Sequence, residues 1–282
     1  MSHPFANGNP SINRLGQTWQ PLLQGEQQIE ALTTVAAIAH YLRIQPTASG
    51  YQADLALFFS YLSQAQLAQP AEKSDTDQAI VFLEQAVDHL THAPIGVGLY
   101  GGLAGVGWTL AHVGRYVWGE PDEEACATID ELLYEYVGQT PWIGEYDLIN
   151  GLVGIGVYAL ERLPNPIGSA LLARVIDRLD EVAVRTPSGI AWFTPPERLP
   201  EAQRKRCPHG YYNLGVAHGV PGVIALLGRA MVAGVATDKA KRLLDGAIHW
   251  LLAQEIPSGP GLSEGGFPVW VSTETQGGPA RL

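Results

Sequence analysis

The chain has 282 residues, of which 46% are hydrophobic, and its 28 acidic against 17 basic residues give a formal net charge of −11. This composition can bury a sizeable core and excludes a largely disordered chain. No run of Lys or Arg is long enough to track a phosphate backbone, so nucleic acid is not expected as a partner.

The first residues, "MSHPFANGNPSINRLGQTWQ", are polar and proline-rich where a signal peptide needs an apolar centre, and residues 1–25 are expected to be irregular. Apolar stretches fall short of the ~20 residues that a membrane-spanning helix needs, so no membrane span is expected. Two cysteines, Cys126 and Cys207, are too few for a disulfide framework. A reducing compartment is therefore favoured, and we predict a cytoplasmic protein.

Helical periodicity recurs along the chain, whereas strand signals are scarce. The expected helices lie at 26–43, 51–68, 76–92, 122–137, about 168–185 and 238–254. The last four of these are amphipathic. Expected core positions are Ile80, Leu83, Val87 and Leu90 in the helix at 76–92, and Ile129, Leu132, Leu133 and Val137 in the helix at 122–137.

Glycine is clustered in three similar stretches: "YGGLAGVGWTLA" (100–111), "INGLVGIGVYAL" (149–160) and "AHGVPGVIALLG" (217–228). All three align on Gly, two residues, Gly and an aliphatic residue, which identifies an internal repeat. The helices that follow are apolar on most sides and should be buried. Amphipathic helices alternating with such apolar helices predict an all-α ring of two layers. The glycines would let the inner helices crowd at one end, with free N–H groups facing a shared cavity.

The stretches "GLYGGLAGVGW", "DLINGLVGIGVYAL" and "GYYNLGVAHGVPGVIALL" resemble the glycine-helix motifs of the lanthionine synthetase C-like family, cyclases that close thioether rings in lanthipeptides. The resemblance covers about residues 95–230. It implies an α/α toroid with seven inner and seven outer helices, and an active site where the inner helices begin. It also implies that His218 and Asp147 are the acid-base residues, and that the intact family binds one zinc ion through two cysteines and a histidine.

The sequence departs from this family pattern near its end. The family's Trp-Cys-x-Gly and Cys-His-Gly zinc motifs do not occur, and residues 255–282 form a loop-rich tail where those motifs would follow. We therefore expect residues 1–282 to form one toroid domain that is truncated at its C-terminus, contains no zinc ligands and is weak or inactive alone. Such a ring would not close by itself, so an oligomer or a partner is expected over its open edge.

Residue chemistry supports part of the implied site. By its residue type, His218 could deliver or remove a proton, and Asp147 could orient its imidazole. Alternatively, His218 bonds a buried loop, and Asp147 caps a helix or makes a loop hydrogen bond. Tyr212, Asn213 and Trp192 are candidates for substrate binding, with Trp192 in a loop overhanging the cavity, although large rings more often pack in cores.

Zinc binding by residues of this chain finds little support in the sequence. Cys207 and His209 supply at most two ligands, whereas a zinc site needs three or four. We therefore predict that no metal is bound at the site.

The implied reaction is addition of a Cys thiol to dehydroalanine or dehydrobutyrine in a peptide substrate with dehydrated Ser or Thr, and a thiol compound is the alternative partner. Two other functions remain open. One is a non-catalytic scaffold that binds a peptide or a thiol. The other is a different α/α-barrel enzyme such as a glycosidase, which needs two carboxylates about 5–9.5 Å apart across a cavity. Glu145 and Asp147 are the only acidic pair beside a glycine motif.

Overall fold

The computed structural model describes residues 22–44, 51–65, 74–92, 96–119, 123–256 and 266–272. The described parts are mainly helical. Most of the segment expected to be irregular at residues 1–25, and much of the tail at 255–282, lie outside the described residues.

The described elements in the first half of the chain are all helices, and short strands occur only in the second half. The helices are α1 (Gly25–Ile44), α2 (Gln52–Ala65), α3 (Asp75–His92), α4 (Leu103–Val113, continued by a π-helical turn at Gly114–Trp118), α5 (Glu123–Val137), α6 (Leu152–Glu161), α7 (Pro166–Glu181), α8 (Glu201–Arg206), α9 (Val220–Val232) and α10 (Thr237–Leu252). The strands are β1 (Val184–Thr186), β2 (Gly189–Ala191), β3 (Phe193–Thr194), β4 (Tyr211–Asn213) and β5 (Trp270–Ser272).

The helices form two curved layers. In the inner layer α2 packs on α4, α4 on α6 and α6 on α9. Each inner helix is covered by the helix that follows it in the outer layer: α3 covers α2, α5 covers α4, α7 covers α6 and α10 covers α9. The inner helix α6 is buried almost all round, whereas α7 buries one face, because only the outer layer meets water on its far side. The predicted alternation of two helix types is thus present.

Two predicted core positions are wrong. Ile80 is 39% exposed and Leu132 is 50% exposed. The predicted positions Leu83 and Leu133 in the same helices are buried. The buried face is therefore the predicted one, and the two exposed residues lie at its edge, because a stripe of apolar residues wider than the contact leaves its edge in water.

Three inner helices, α4, α6 and α9, have a glycine in the first turn that is required by the loop that precedes the helix. A Cβ atom on Gly105, Gly154 or Gly222 would lie less than 3 Å from a loop carbonyl oxygen. These carbonyls belong to Leu99, Leu148 and Val216, which occupy the same place in the three repeats. The crowding that the glycines permit is therefore between a loop and its own helix.

The same folding back satisfies the amides at the helix starts. In α6 the bonds run from Leu152 to the Glu145 carbonyl (3.2 Å), from Val153 to Tyr146 (3.1 Å) and from Gly154 to Asp147 (3.3 Å). In α4 the matching bonds run from Leu103 to Gly96 (2.9 Å), from Ala104 to Val97 (3.3 Å) and from Gly105 to Gly98 (3.3 Å). The prediction that these amides face a shared cavity is therefore wrong for both helices, because unsatisfied N–H groups are costly to bury.

Neighbouring loops are joined by equivalent backbone hydrogen bonds. The Leu99 amide donates to the Ile149 carbonyl (2.9 Å), and the Leu148 amide donates to the Ala217 carbonyl (3.0 Å). Leu99 and Leu148 hold the same repeat position, as do Ile149 and Ala217. The second of these bonds brings the residues beside Leu148 next to those beside Ala217.

The strands form two small antiparallel sheets. Strands β1 to β4 come between α7 and α9 in the chain, and β5 follows α10. β1 pairs with β2, and a three-stranded sheet has the order β3-β4-β5, with Phe193 opposite Tyr212 and Asn213 opposite Trp270. β4 leads directly into the loop that precedes α9. Within the described parts of the chain, none of the helices combines the length and apolar character needed to cross a bilayer.

Replacing Gly154 by Ala should lower the free energy of unfolding by about 1–3 kcal/mol, because the new Cβ would press on the Leu148 carbonyl. Gly228 in α9 is the matched control, since a Cβ there would meet no atom within 4 Å. Gly228→Ala should raise the free energy by about 0.4–1 kcal/mol. Urea unfolding followed by circular dichroism measures both. Equal effects of the two substitutions would contradict the loop-helix contact.

Candidate active site

His218 and Asp147 meet at the end of the ring where the inner helices begin. Asp147 lies in the loop before α6, and His218 lies in the loop before α9. His218 Nδ1 is 2.5 Å from Asp147 Oδ2. The Asp147 side chain is only 9% exposed, whereas that of His218 is 54% exposed. A buried carboxylate thus holds an imidazole that remains open to solvent.

Both oxygens of the Asp147 carboxylate have partners. Oδ1 accepts the backbone N–H of Asn150 at 2.8 Å, which closes a tight turn before Gly151, the N-cap of α6. Oδ2 is left for the imidazole. Asp147 therefore makes a loop hydrogen bond with one oxygen and contacts His218 with the other, and it does not cap α6, whose N-cap residue Gly151 has no side-chain bond.

The backbone of His218 is fixed by a buried phenol. The Tyr146 hydroxyl donates to the His218 carbonyl at 3.1 Å. Burial raises the pKa of Tyr146 far above its ordinary value, so the phenol keeps the proton that this bond needs. Tyr146 precedes Asp147 in the chain, so consecutive residues hold His218 by its main chain and by its ring.

Asn213 and Tyr212 lie in β4, just ahead of the His218 loop. The Asn213 side-chain oxygen accepts the Gly215 amide at 2.7 Å. This is the local turn that asparagine favours, and it directs the chain toward His218. The Tyr212 ring packs on Phe193 and on Trp250, with centroids 5.3 Å and 5.4 Å away. Both residues are near the dyad in sequence and partly exposed, and their substrate contacts stay a prediction.

Trp192 is placed differently from its prediction. Its side chain is fully buried in the core, and its indole N–H donates to the Leu179 carbonyl of α7 at 2.9 Å. The predicted overhang of Trp192 above the cavity is therefore wrong, because the ring fills the interior between the strands and the outer helix. Proline and glycine around it in the sequence had indicated an exposed loop.

Glu145 and Arg198 form an ion pair beside the dyad that the sequence did not indicate. Arg198 Nε is 3.4 Å from Glu145 Oε1, and its other nitrogens donate to the carbonyls of Gly144 (2.9 Å) and Ile143 (2.6 Å). Burial raises the pKa of Glu145, Arg198 lowers it, and the nearby charge of Asp147 raises it. Because Glu145 is engaged by Arg198 and shares a loop with Asp147, the pair is not arranged as opposed glycosidase acids.

The described residues do not fit a zinc ion. Nowhere in the described ranges do three or more His, Cys, Asp or Glu side chains form a group that could hold a metal. Cys207 is buried in a small cluster with Leu199 and Tyr211, where burial raises its pKa and so disfavours the thiolate that zinc binds. His209, two residues on, is exposed.

Comparison with known proteins gives the family. The family model of the lanthionine synthetase C-like protein matches residues 50–276. The chain belongs to the lanthionine synthetase C-like family. No curated protein matches this lanthionine synthetase C-like chain in sequence.

Among solved structures, nisin cyclase matches with a TM-score of 0.61 at 18% sequence identity. The match covers 82% of this chain and 58% of the nisin cyclase chain. This likeness shows the fold, an α/α toroid, which confirms the predicted fold class. The lanthionine synthetase C-like chain therefore spans somewhat more than half the length of that structure.

Replacing Arg198 by Gln should raise the pKa of Glu145 further, because the cation that lowers it is removed. An acid whose folded pKa lies above its unfolded value stabilises the fold below the unfolded value, and that contribution is lost as pH rises through the folded pKa. The variant should therefore lose more unfolding free energy at pH 7 than at pH 4. Urea unfolding at both values measures this.

Arg185→Gln is the control, because Arg185 pairs with Asp180 outside the glycine loops and its side chain is 60% exposed, against 30% for Arg198. Its loss should be similar at the two pH values. A loss in Arg198→Gln that is equally independent of pH would contradict the coupling to Glu145.

Proposed function

We propose that this chain serves thioether ring formation, in which a cysteine thiol of a peptide adds to dehydroalanine or dehydrobutyrine. The observation that carries the proposal is the 2.5 Å contact between His218 Nδ1 and Asp147 Oδ2 at the mouth of the ring. Family membership supports the reaction class.

The geometry of the pair assigns the two ring nitrogens of His218. Because Nδ1 faces the Asp147 carboxylate, that nitrogen carries a proton and Nε2 is the nitrogen that meets substrate. The Asn150 amide, the Tyr146 hydroxyl and the Ala217 carbonyl hold the two loops in place, so the imidazole does not need to reorganise during the reaction.

The proton balance needs one group of this kind. The sulfur lone pair forms a bond to the β-carbon, and the electrons of the carbon-carbon double bond move to give an enolate. His218 Nε2 accepts the thiol proton and returns a proton to the α-carbon, and Asp147 stabilises the charged imidazole between these steps. Atoms and electrons balance without an added oxidant or reductant.

Activation of the thiol is the remaining requirement. A thiol with a pKa near 8.5 is a few per cent thiolate at neutral pH, and bound zinc would deprotonate it outright. Since the described residues offer no zinc site, they account for proton transfer and the orientation of the histidine, and no step is assigned to a metal here.

The proposed substrate is a peptide that carries dehydrated Ser or Thr residues and a free Cys. The name of nisin cyclase, the structure that the chain resembles, fits a peptide substrate. Cys126 and Cys207 are buried and form no disulfide with each other, which suits the cytoplasm, where a substrate thiol also stays reduced.

The test is a synthetic peptide with one dehydroalanine and one cysteine, incubated with the protein at pH 7.5. Ring closure leaves the mass unchanged, so remaining thiols are alkylated with iodoacetamide and the alkylated fraction is measured by mass spectrometry. The protein should speed thiol loss, and His218→Asn or Asp147→Asn should slow it about 10²–10⁴-fold, because proton transfer or the correct tautomer is lost.

His249→Asn is the matched control. His249 lies on the exposed side of α10 and bonds the Asp245 carbonyl of its own helix at 2.7 Å, so its loss should leave the rate unchanged. Peptide that binds without any loss of thiol would instead identify a scaffold. A rate that survives His218→Asn would overturn the role of the dyad.

A further inference from the structure

A cavity of about 270 Å³ opens at the same end of the ring as the dyad, two inner helices away. It lies between the start of α2 and the start of α4, with the last part of α3 on its outer side. Its rim includes Tyr100 and Gly101, which hold the repeat positions of Ile149 and Asn150 in the next loop. The cavity is therefore separate from the dyad but faces the same side of the molecule.

The lining changes from apolar to acidic and aromatic between the floor and the rim. Leu57, Val106 and Val157 supply aliphatic surface, and Val106 is buried. Asp54 and Tyr100 lie at the open side. His89 of α3 also lines the cavity, and none of the described lining residues is Lys or Arg.

Among the described residues, no Lys or Arg forms an ion pair with the Asp54 carboxylate. Burial raises the pKa of Asp54, and no charged neighbour among the described residues offsets that effect. A carboxylate of this kind is stabilised when a ligand brings a positive charge to it. The exposed Tyr100 ring adds a face on which an ammonium group can rest.

We propose that this cavity binds a lysine side chain of a peptide, with the aliphatic stem against Leu57 and Val106 and the ammonium group at Asp54. The long, flexible stem of lysine matches a site whose floor is apolar and whose rim is acidic. The net charge of −11 on the chain also favours a cationic partner. The peptide as the source of the lysine rests on the proposed function.

The distance between the cavity and the dyad determines how many residues separate the lysine from the reacting residue in such a peptide. Neighbouring inner helices are about 8–10 Å apart, so the cavity and the dyad are separated by roughly 16–20 Å. An extended chain spans about 3.3–3.6 Å per residue. The lysine would therefore lie about five or six residues from the cysteine or dehydrated residue that reacts.

The test uses Nα-acetyl-lysine methylamide, followed by the amide signals of the ¹⁵N-labelled full chain. The Gly101 and Gly102 signals should shift, while those of Gly219 and Gly222 beside the dyad should not. The norleucine analogue, which keeps the stem and lacks the charge, should bind at least about fivefold more weakly. Equal binding of the two analogues would overturn the proposal, and this comparison needs only the unmodified protein.

Asp54→Asn should remove the preference for lysine over norleucine. Glu131→Gln is the matched control, because Glu131 is an exposed acid on the outer helix α5, and this variant should keep the preference. Pentylamine tests a free amine as the source: if it binds as tightly as the lysine probe, the peptide assignment fails. These signals do not depend on thiol loss, so failure of the cyclisation assay and failure of the cavity are distinguishable.

Discussion

The close contact between each glycine loop and the first turn of the helix it precedes organises this end of the ring. A loop carbonyl occupies the space that a Cβ would need at Gly105, Gly154 and Gly222, and loop carbonyls accept the first amides of α4 and α6. Because the contact is made by backbone atoms, side chains at the loop tips vary without changing it. The same loop position is therefore Gly101 in the first repeat and His218 in the third.

This constraint also explains why the dyad forms once. Asp147 corresponds to Gly98 in the first repeat, where a Cβ would lie 2.5 Å from the Ile149 carbonyl. A carboxylate is therefore sterically barred from the first loop and accommodated in the second. The Leu148–Ala217 backbone bond then brings Asp147 to the loop of His218, so the contact between these two side chains depends on two neighbouring repeats.

The sequence predicted the layers, since these depend on periodicity. The family resemblance of its glycine motifs pointed to His218 and Asp147, and the structure brings these two side chains into contact. Predictions from the sequence were missing or wrong where the contacts are long-range. Arg198 reaches the carbonyls before Glu145 across more than 50 residues, and no local pattern encodes that approach. Trp192 looked like a loop residue because proline and glycine surround it, yet the chain turns its ring inward to the Leu179 carbonyl. The prediction that Ile80 lies in the core was wrong, because an apolar side chain at the edge of a buried helix face can still meet water.

A second histidine shows what distinguishes His218. His112, in the last turn of α4, also has a carboxylate nearby, with Nδ1 3.4 Å from Glu161 Oε1. However, its ring is stacked on Trp108, its Nε2 is 2.6 Å from the Tyr61 hydroxyl, and its Nδ1 is buried without a hydrogen bond, so neither nitrogen is open to a substrate. His112 joins α2, α4 and α6 at the far end of the ring as a packing residue. An imidazole handles substrate protons only when one nitrogen is oriented and the other is open, and that combination is present at His218.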